Sequence, residues 1–238
     1  MPKSRARALA DDFTPPIVRR AARVARDRIR GANGNGGGNG KATGPLNPDK
    51  IEYGADFYDD SFDTDDRWRK PYWKLGWYGS WAVIADRVMS RADAKVLDMG
   101  CGAGHLSRLL ADRGLQHYVG FDFSVKRLEQ ARALVPEFRF EVADAYTTDL
   151  FDTVDFNTVV CTEFLEHLDG DLDVLARIHS GARVLGTVPN YDAHGHVRFF
   201  DTKAEVEQRY RPSFASLSVT QVRNAGDDAE WLIDGLRP

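Results

Sequence analysis

The chain has 238 residues, of which 42% are hydrophobic and 11% aromatic, and its formal net charge is −4. This length and apolar content suffice for a packed domain with an appendage and exclude a wholly disordered chain. No apolar run approaches the roughly 20 residues that span a bilayer. Two cysteines, Cys101 and Cys161, are too few for a disulfide framework, and the N-terminus lacks the apolar core of a secretory signal. The sequence therefore predicts a cytoplasmic protein.

The charge is unevenly distributed. Residues 1–30 contain nine Lys/Arg against three Asp, a net +6 that leaves −10 on the rest of the chain. We predict that residues 1–30 form a basic arm that contacts an anionic membrane surface or an acidic partner, with a solubilising tail or a homodimer contact as alternatives. Residues 31–47 are rich in Gly and Asn and predict a flexible linker. The acidic remainder argues against nucleic-acid binding, because phosphate contacts need fixed positive charge.

Residues 48–92 form the next predicted unit, an aromatic-rich cap. Trp81, Ile84, Ala85 and Val88 have helical spacing and predict a helix at its end. The tyrosines and tryptophans before that helix are too numerous for a solvated loop. They predict either structural packing on the main domain or a lid over a ligand.

Strands and helices alternate through the predicted main domain, residues 93–238. Predicted strands lie at 95–99, 118–121, 139–142, 158–162, 182–188, 214–222 and 230–234. Predicted helices lie at 105–113, 125–134, from the end of the fourth strand through about 178, and at 202–210. This alternation predicts an α/β fold, a Rossmann-like doubly wound sheet of seven strands that is mostly parallel. The last two strands are joined by the short polar turn NAGDDA, so the last strand is expected to be antiparallel.

A glycine-rich turn follows the first predicted strand. In VLDMGCGAG, Asp98, Gly100, Gly102 and Gly104 form the pattern D-x-G-x-G-x-G. Glycines at the carboxyl end of a strand let the backbone approach a ligand, and the following helix directs free N–H groups at it. The spacing differs from the G-x-G-x-x-G fingerprint of dinucleotide-binding folds.

This motif resembles the first motif of class I S-adenosylmethionine-dependent methyltransferases. The resemblance extends to Asp122 after the second strand, to Asp144-Ala145 after the third, and to TVVCTEFLEHL and ARVLGTVPNY. It implies S-adenosylmethionine as cofactor, with Asp122 on the ribose hydroxyls and Asp144-Ala145 at the adenine. The cofactor-binding residues that it implies are Asp98, Gly100, Cys101, Gly102, Gly104, Asp122, Phe123, Asp144, Ala145 and Thr162.

Acids and histidines cluster after the fourth and fifth strands. If the turn after the fourth strand is helical, Glu163, Glu166 and His167 share one face, and His194 and His196 reach the same edge of the sheet. In one interpretation the catalytic residues are His167, His196, Glu163 and His194, with a histidine as general base toward a hydroxyl.

Two other interpretations of the same residues stay open. Glu163, Glu166, His167 and His196 could hold Mg²⁺ or Mn²⁺, because E-x-x-E-H resembles metal-using ubiquinone-pathway and small-RNA 2′-O-methyltransferases. Alternatively, Glu166 and His167 only cap and solvate a helix start.

The predicted function is O-methylation of a sugar, a glycan or another polyhydroxylated small molecule, because aromatic faces suit sugar rings and a histidine suits a hydroxyl. The alternatives are methylation of a phenolic metabolite and a non-catalytic S-adenosylmethionine-binding regulatory module. The absence of a basic groove makes RNA a poor candidate for the acceptor.

Overall fold

The computed structural model describes residue 47, residues 49–224 and residues 229–238. The predicted basic arm and the predicted linker, apart from Asn47, lie outside the described residues. Within the described ranges, none of the helices has the length and apolar character needed to cross a membrane.

Seven strands form a single sheet. They are β1 (Lys95–Met99), β2 (His117–Asp122), β3 (Arg139–Val142), β4 (Thr158–Thr162), β5 (Arg183–Pro189), β6 (Ser216–Arg223) and β7 (Ala229–Leu236). Their spatial order is β3-β2-β1-β4-β5-β7-β6. β1 to β5 pair in parallel, and β7 pairs antiparallel with both β5 and β6. The predicted fold class, including the antiparallel last strand, is confirmed.

Helices cover both faces of this sheet. They are α1 (Ala55–Thr64), α2 (Tyr78–Met89), α3 (His105–Asp112), α4 (Val125–Leu134), α5 (Leu150–Thr153), α6 (Asp171–Ala176) and α7 (Lys203–Tyr210). The central strands are apolar on both faces, as expected for parallel strands covered by helices. Thus Leu97 and Val159 pack in one apolar core, whereas Val96 and Val160 pack in the other.

The prediction of one continuous helix after β4 is wrong. The chain instead forms a 3₁₀ turn, Leu165–His167, and the short helix α6. Arg198 explains the interruption, because its guanidinium donates hydrogen bonds to the carbonyls of Leu165, Leu168 and Asp169. These carbonyls therefore accept hydrogen bonds from a distant side chain and not from the N–H groups of a continuing helix. The tertiary contact thus overrides the local helical preference.

Residues 49–77 pack over the carboxyl ends of the first strands. Helix α1 lies against α4, where Ser124 donates a 2.6 Å hydrogen bond to Asp59. The predicted helix at the end of the aromatic segment is confirmed as α2, with Trp81 and Ile84 buried toward the sheet. The aromatic segment thus packs on the main domain and also covers the carboxyl edge of its parallel strands.

Candidate active site

A cavity of about 1410 Å³ lies at the carboxyl ends of the parallel strands. Its lining comes from the loops after β1 to β4, from residues 49–77 and from residues 191–196. The strand order reverses between β1 and β4, and such a switch point is where open α/β sheets bind ligands. The cavity therefore lies where the sequence placed the site.

The glycine loop after β1 requires residues without side chains. Gly100 has φ +69° and lines the cavity, and a Cβ atom there would collide with the ring of Phe164. Gly104 has φ +83°, and its Cβ would lie 2.9 Å from the backbone of Ala131 in α4. Glycine thus allows both the left-handed backbone and the close packing of the loop.

Asp122 is held rigidly at the end of β2. One carboxylate oxygen accepts from the Gly102 N–H at 3.0 Å, and the other accepts from the Ser124 N–H at 2.8 Å. The residue is buried yet lines the cavity, and its burial raises the pKa of the carboxyl. Because each carboxylate oxygen has two lone pairs, Asp122 can still accept hydrogen bonds from ligand hydroxyls.

Half of the predicted cofactor-binding residues line the cavity: Gly100, Asp122, Phe123, Asp144 and Ala145. The other half do not line it: Asp98, Cys101, Gly102, Gly104 and Thr162. Asp98 accepts a 2.7 Å hydrogen bond from the Tyr118 hydroxyl, and burial raises the pKa of its carboxyl to about 7. The geometry gives Asp98 a bracing role, and its direct contact with a cofactor stays a prediction.

Glu166, His167 and His196 form a compact cluster, with one potential ligand atom from each within 4.8 Å of the others. The Nδ1 atom of His167 lies 2.8 Å from the Gly195 carbonyl, and Nδ1 of His196 lies 3.1 Å from the Tyr191 carbonyl. A carbonyl can only accept, so each Nδ1 carries the proton and each Nε2 keeps a free lone pair.

The Glu166 carboxyl is fully buried, and neither oxygen has a hydrogen-bond partner among the described residues. One oxygen lies 3.9 Å from Nε2 of His167. Burial raises the pKa of Glu166 to about 8, and burial together with the charge of His196 lowers the pKa of His167 to about 3. An unpaired buried carboxylate is costly, and a bound cation would remove that cost. The donor set thus fits a divalent metal ion.

Glu163 and His194 line the cavity at the predicted edge of the sheet but do not join this cluster. The predicted placement of Glu163 on one face with Glu166 and His167 is wrong. Glu163 has a left-handed backbone with φ +51°, and its carboxylate accepts a 3.0 Å hydrogen bond from the Tyr191 hydroxyl. The shared face predicted for Glu163, Glu166 and His167 requires an α-helical turn, and this turn is not one. His194 lies exposed on the cavity rim.

The chain matches a family model described as a methyltransferase domain over residues 96–186. It is 36% identical over 95 residues to ubiquinone biosynthesis O-methyltransferase of Alkalilimnicola ehrlichii, a match that covers 38% of this chain and 37% of that protein. It is 37% identical over 83 residues to the enzyme of the same name from Azoarcus sp. strain BH72, covering 32% and 34%. The chain therefore spans well under half the length of these curated relatives.

A similar solved structure is that of magnesium protoporphyrin IX methyltransferase from Synechocystis PCC 6803 with bound S-adenosylmethionine. The two share a TM-score of 0.58 and 19% identity, over 77% of this chain and 97% of that one. At this identity the likeness concerns the fold. Residues 96–186 of this chain form a methyltransferase domain. The sheet topology and the glycine loop agree with the class I S-adenosylmethionine-dependent type.

The sequence analysis missed a buried acid that contacts residues lining the cavity. His196, which lies beyond the family match, was predicted, but Glu230 of β7 was not. Glu230 accepts a 2.7 Å hydrogen bond from Asn224 and faces Glu163, and burial raises the pKa of Glu230 to about 7. An acid within the apolar strand AEWLIDGL was the available signal.

The aromatic segment supplies the other unpredicted contacts. The Tyr58 ring lies 5.2 Å from Phe123 and 5.8 Å from His167, centroid to centroid. It therefore spans the distance between the predicted cofactor-binding edge and the histidine cluster of the methyltransferase domain. Arg127, which packs against the same ring, was also missed.

Proposed function

We propose that this protein is an O-methyltransferase that uses S-adenosylmethionine to methylate a hydroxyl of a small molecule bound in the cavity. The observation that carries this proposal is the pair of imidazoles, His167 and His196, each with a ring nitrogen within 4.8 Å of an oxygen of the buried Glu166 carboxyl. The cluster lies at the same sheet edge as the glycine loop. The relatives named as O-methyltransferases agree with this reaction class.

S-adenosylmethionine, when bound, supplies an electrophilic methyl group on a sulfonium. The residues that would hold it are the Gly100 backbone, Asp122 toward the ribose hydroxyls, and Phe123, Asp144 and Ala145 beside the adenine. Asp122 is preorganised for this task because two backbone N–H groups fix its carboxylate. The remaining catalytic work of the protein is to orient the acceptor hydroxyl and remove its proton.

Two roles are possible for the histidine cluster, and they differ in how the acceptor hydroxyl is made to lose its proton. Glu166, His167 and His196 would hold a divalent cation, which would lower the pKa of a bound hydroxyl. Two imidazoles with one carboxylate favour Mn²⁺ over Mg²⁺, which prefers an all-oxygen set. The alternative is a histidine base without metal. The depressed pKa of His167, about 3, favours the metal role, because such an imidazole is a weak base but a ready ligand.

The acceptor class that we propose is a sugar or another polyhydroxylated small molecule. Phe57, Trp68 and Trp77 line the cavity with aromatic surface, and Glu52 and Asp144 line it with carboxylates that suit hydroxyl groups. A phenolic metabolite is the second candidate, favoured by the name of the curated relatives. Its flat ring would suit the same aromatic side chains.

A methyl-transfer screen tests this proposal. Labelled S-adenosylmethionine is incubated with sugars, glycans and small phenols, in EDTA and after addition of Mn²⁺ or Mg²⁺. We expect labelled product with at least one acceptor, and a loss of at least about 100-fold in turnover in His167→Ala. His117→Ala serves as the control, because His117 is exposed at the opposite end of β2.

The outcomes separate the alternatives. Cofactor binding without transfer to any acceptor would support a non-catalytic binding module. Full activity in EDTA that still requires His167 would assign the histidine as a base without metal.

A further inference from the structure

Arg127 is a half-buried cation in the wall of the cavity, and its Nε atom is fully buried. It lies in the first turn of α4, five residues after Asp122, and lines the cavity. The central carbon of its guanidinium lies 4.9 Å from the ring centroid of Tyr58 and 4.4 Å from that of Trp68. These two aromatic residues hold the guanidinium in place, and cation–π attraction offsets part of the cost of its burial.

The guanidinium lacks a hydrogen-bonding partner within the part of the chain that the structure describes. Its Nε is buried without an acceptor, and the guanidinium takes part in neither a hydrogen bond nor an ion pair there. The contrast with Arg67, a second arginine of the same cavity, is clear, because Arg67 pairs with Asp65.

The acids nearest to Arg127 have other donors. Asp122 accepts from the backbone of Gly102 and Ser124, and Asp59 accepts from the Ser124 hydroxyl. Both carboxylates favour the charged form of Arg127, but the burial of the side chain outweighs them and lowers its pKa. Arginine nevertheless stays protonated in proteins, so this cavity contains a charged guanidinium whose buried Nε–H has no acceptor among the described residues.

We propose that Arg127 is the receptor for a carboxylate group of a bound ligand. A planar guanidinium matches a carboxylate in two parallel hydrogen bonds, and a carboxylate would satisfy both the charge and the orphaned donor. The aromatic residues on either side keep the guanidinium oriented before the ligand arrives, which lowers the entropic cost of binding.

The carboxylate has two chemical sources. One is the amino-acid portion of the methyl donor, and this source rests on the proposed function. The other is an acidic group on the acceptor. A carboxylate from either source would form the same bidentate pair of hydrogen bonds with Arg127.

The test compares ligands with and without a carboxylate by calorimetry. S-adenosylhomocysteine and 5′-methylthioadenosine share the nucleoside, but only the first has the amino-acid carboxylate. Benzoate, titrated into free protein and into protein saturated with S-adenosylhomocysteine, is the probe for an acidic acceptor. The variants are Arg127→Met and Arg127→Lys. Arg132→Met is the control, since it removes an equal charge from the exposed face of the same helix.

We expect Arg127→Met to weaken either S-adenosylhomocysteine or benzoate by about 10- to 100-fold, the loss that follows from removing a charge-assisted hydrogen bond. Binding of 5′-methylthioadenosine should not change, and Arg127→Lys should retain part of the affinity because it keeps the charge. Loss of S-adenosylhomocysteine affinity identifies the donor as the source, and loss of benzoate affinity identifies the acceptor.

Two results would overturn the proposal: unchanged affinity for both carboxylates in Arg127→Met, or an equal loss for 5′-methylthioadenosine. If Arg127→Met does not fold, Arg127→Lys decides by the same comparison. Failure of the wild-type protein to bind either nucleoside would count against the proposed function. The benzoate titration of the free protein would still test Arg127.

Discussion

At the scale of single residues, carboxyl groups in one small region differ because their partners differ. Asp122 has two backbone donors, Asp98 has one tyrosine hydroxyl, and Glu166 has no hydrogen-bond partner among the described residues. All three are buried. Their environments suit different tasks: accepting ligand hydroxyls, bracing the first strand and holding a cation.

Asp122→Ala should weaken the binding of S-adenosylhomocysteine by about 100-fold or more. The change removes the acceptor for the ribose hydroxyls and leaves the Gly102 and Ser124 N–H groups unpaired. Calorimetry measures the affinity, and a melting curve verifies the fold. Asp155→Ala, at an exposed acid before β4, is the control. Unchanged affinity in Asp122→Ala would contradict this account of the cavity.

Glu166→Gln should abolish tight Mn²⁺ binding, with an affinity loss of about 100-fold, because an amide supplies no negative charge to the cation. Electron paramagnetic resonance measures free Mn²⁺ directly and needs no acceptor substrate. Glu129→Gln, at an exposed position of α4, should bind like the wild type. The metal role is wrong if chelator-treated wild-type protein binds no Mn²⁺ at millimolar concentration.

The buried carboxyl of Asp98 should make the free energy of unfolding depend on pH. Burial raises the pKa of Asp98 in the folded state to about 7, from an ordinary value of 3.8, so the folded state binds more protons than the unfolded state between these pH values. The contribution of Asp98 to the free energy of unfolding therefore falls as the pH rises from about 4 to 7. The fall is at most about 1.4 kcal/mol per pH unit.

Asp98→Asn should remove this contribution while keeping an acceptor for Tyr118. Urea unfolding of the wild type and the variant at several pH values should show the variant gaining relative stability toward pH 7. Asp155→Asn, at an exposed acid, should follow the wild type throughout. Parallel curves for Asp98→Asn and the wild type would rule out a raised pKa for Asp98.

At the scale of elements, the segment between β4 and α6 determines where the histidine cluster forms. Arg198 donates to three carbonyls of this segment and lies 3.3 Å from the carboxylate of Asp171, which starts α6. The Val197 N–H also donates to the Glu166 carbonyl at 2.9 Å. The loop after β5 thus holds the turn after β4 in a non-helical path, which brings His196 beside Glu166 and His167.

Arg198→Met should lower the free energy of unfolding by about 2 to 3 kcal/mol, as expected for the loss of several buried hydrogen bonds. It should also weaken Mn²⁺ binding and leave the affinity for 5′-methylthioadenosine unchanged, since Asp122 lies on a different strand. Urea unfolding and the two binding assays measure these effects. Arg211→Met, whose exposed guanidinium pairs with Glu207, is the control. Equal losses in both binding assays would indicate a general loss of fold instead.

At the scale of the whole molecule, the boundary between the N-terminal region and the folded domain is testable. The Gly/Asn-rich composition of residues 31–44 predicts that they do not contribute to the core. Asn47, three residues later, is fully buried and donates 3.0 Å hydrogen bonds to the carbonyls of Ile51 and His196. A chain that lacks residues 1–44 should therefore melt like the full-length protein and bind 5′-methylthioadenosine with the same affinity.

Asn47→Ala should instead lower the free energy of unfolding by about 1 to 3 kcal/mol, because it leaves buried carbonyl groups unsatisfied. Thermal and urea unfolding of the two variants provide the comparison. If the truncated chain has a lower free energy of unfolding than Asn47→Ala, residues 1–44 contribute to the stability of the fold.

The sheet and its ligand-binding edge were predictable from the sequence, because strand–helix alternation, glycine spacing and a short polar turn are local signals. β1, β3, β4 and α4 begin and end at the predicted residues. Gly100 of the D-x-G-x-G-x-G motif, Asp122 and Asp144 line the cavity because parallel strands all end at one edge.

Only the tertiary structure decided which side chains meet at that edge. Glu163, whose backbone is left-handed, lies outside the cluster for which it was predicted. His196, which was also predicted, does lie in the cluster, because the Val197 N–H donates to the Glu166 carbonyl of another loop. Arg127 gave no sequence signal, since its burial depends on Tyr58 and Trp68, which lie more than 50 residues earlier. Local patterns specify elements and their order, whereas the composition of a site depends on side chains that are brought together only when those elements pack.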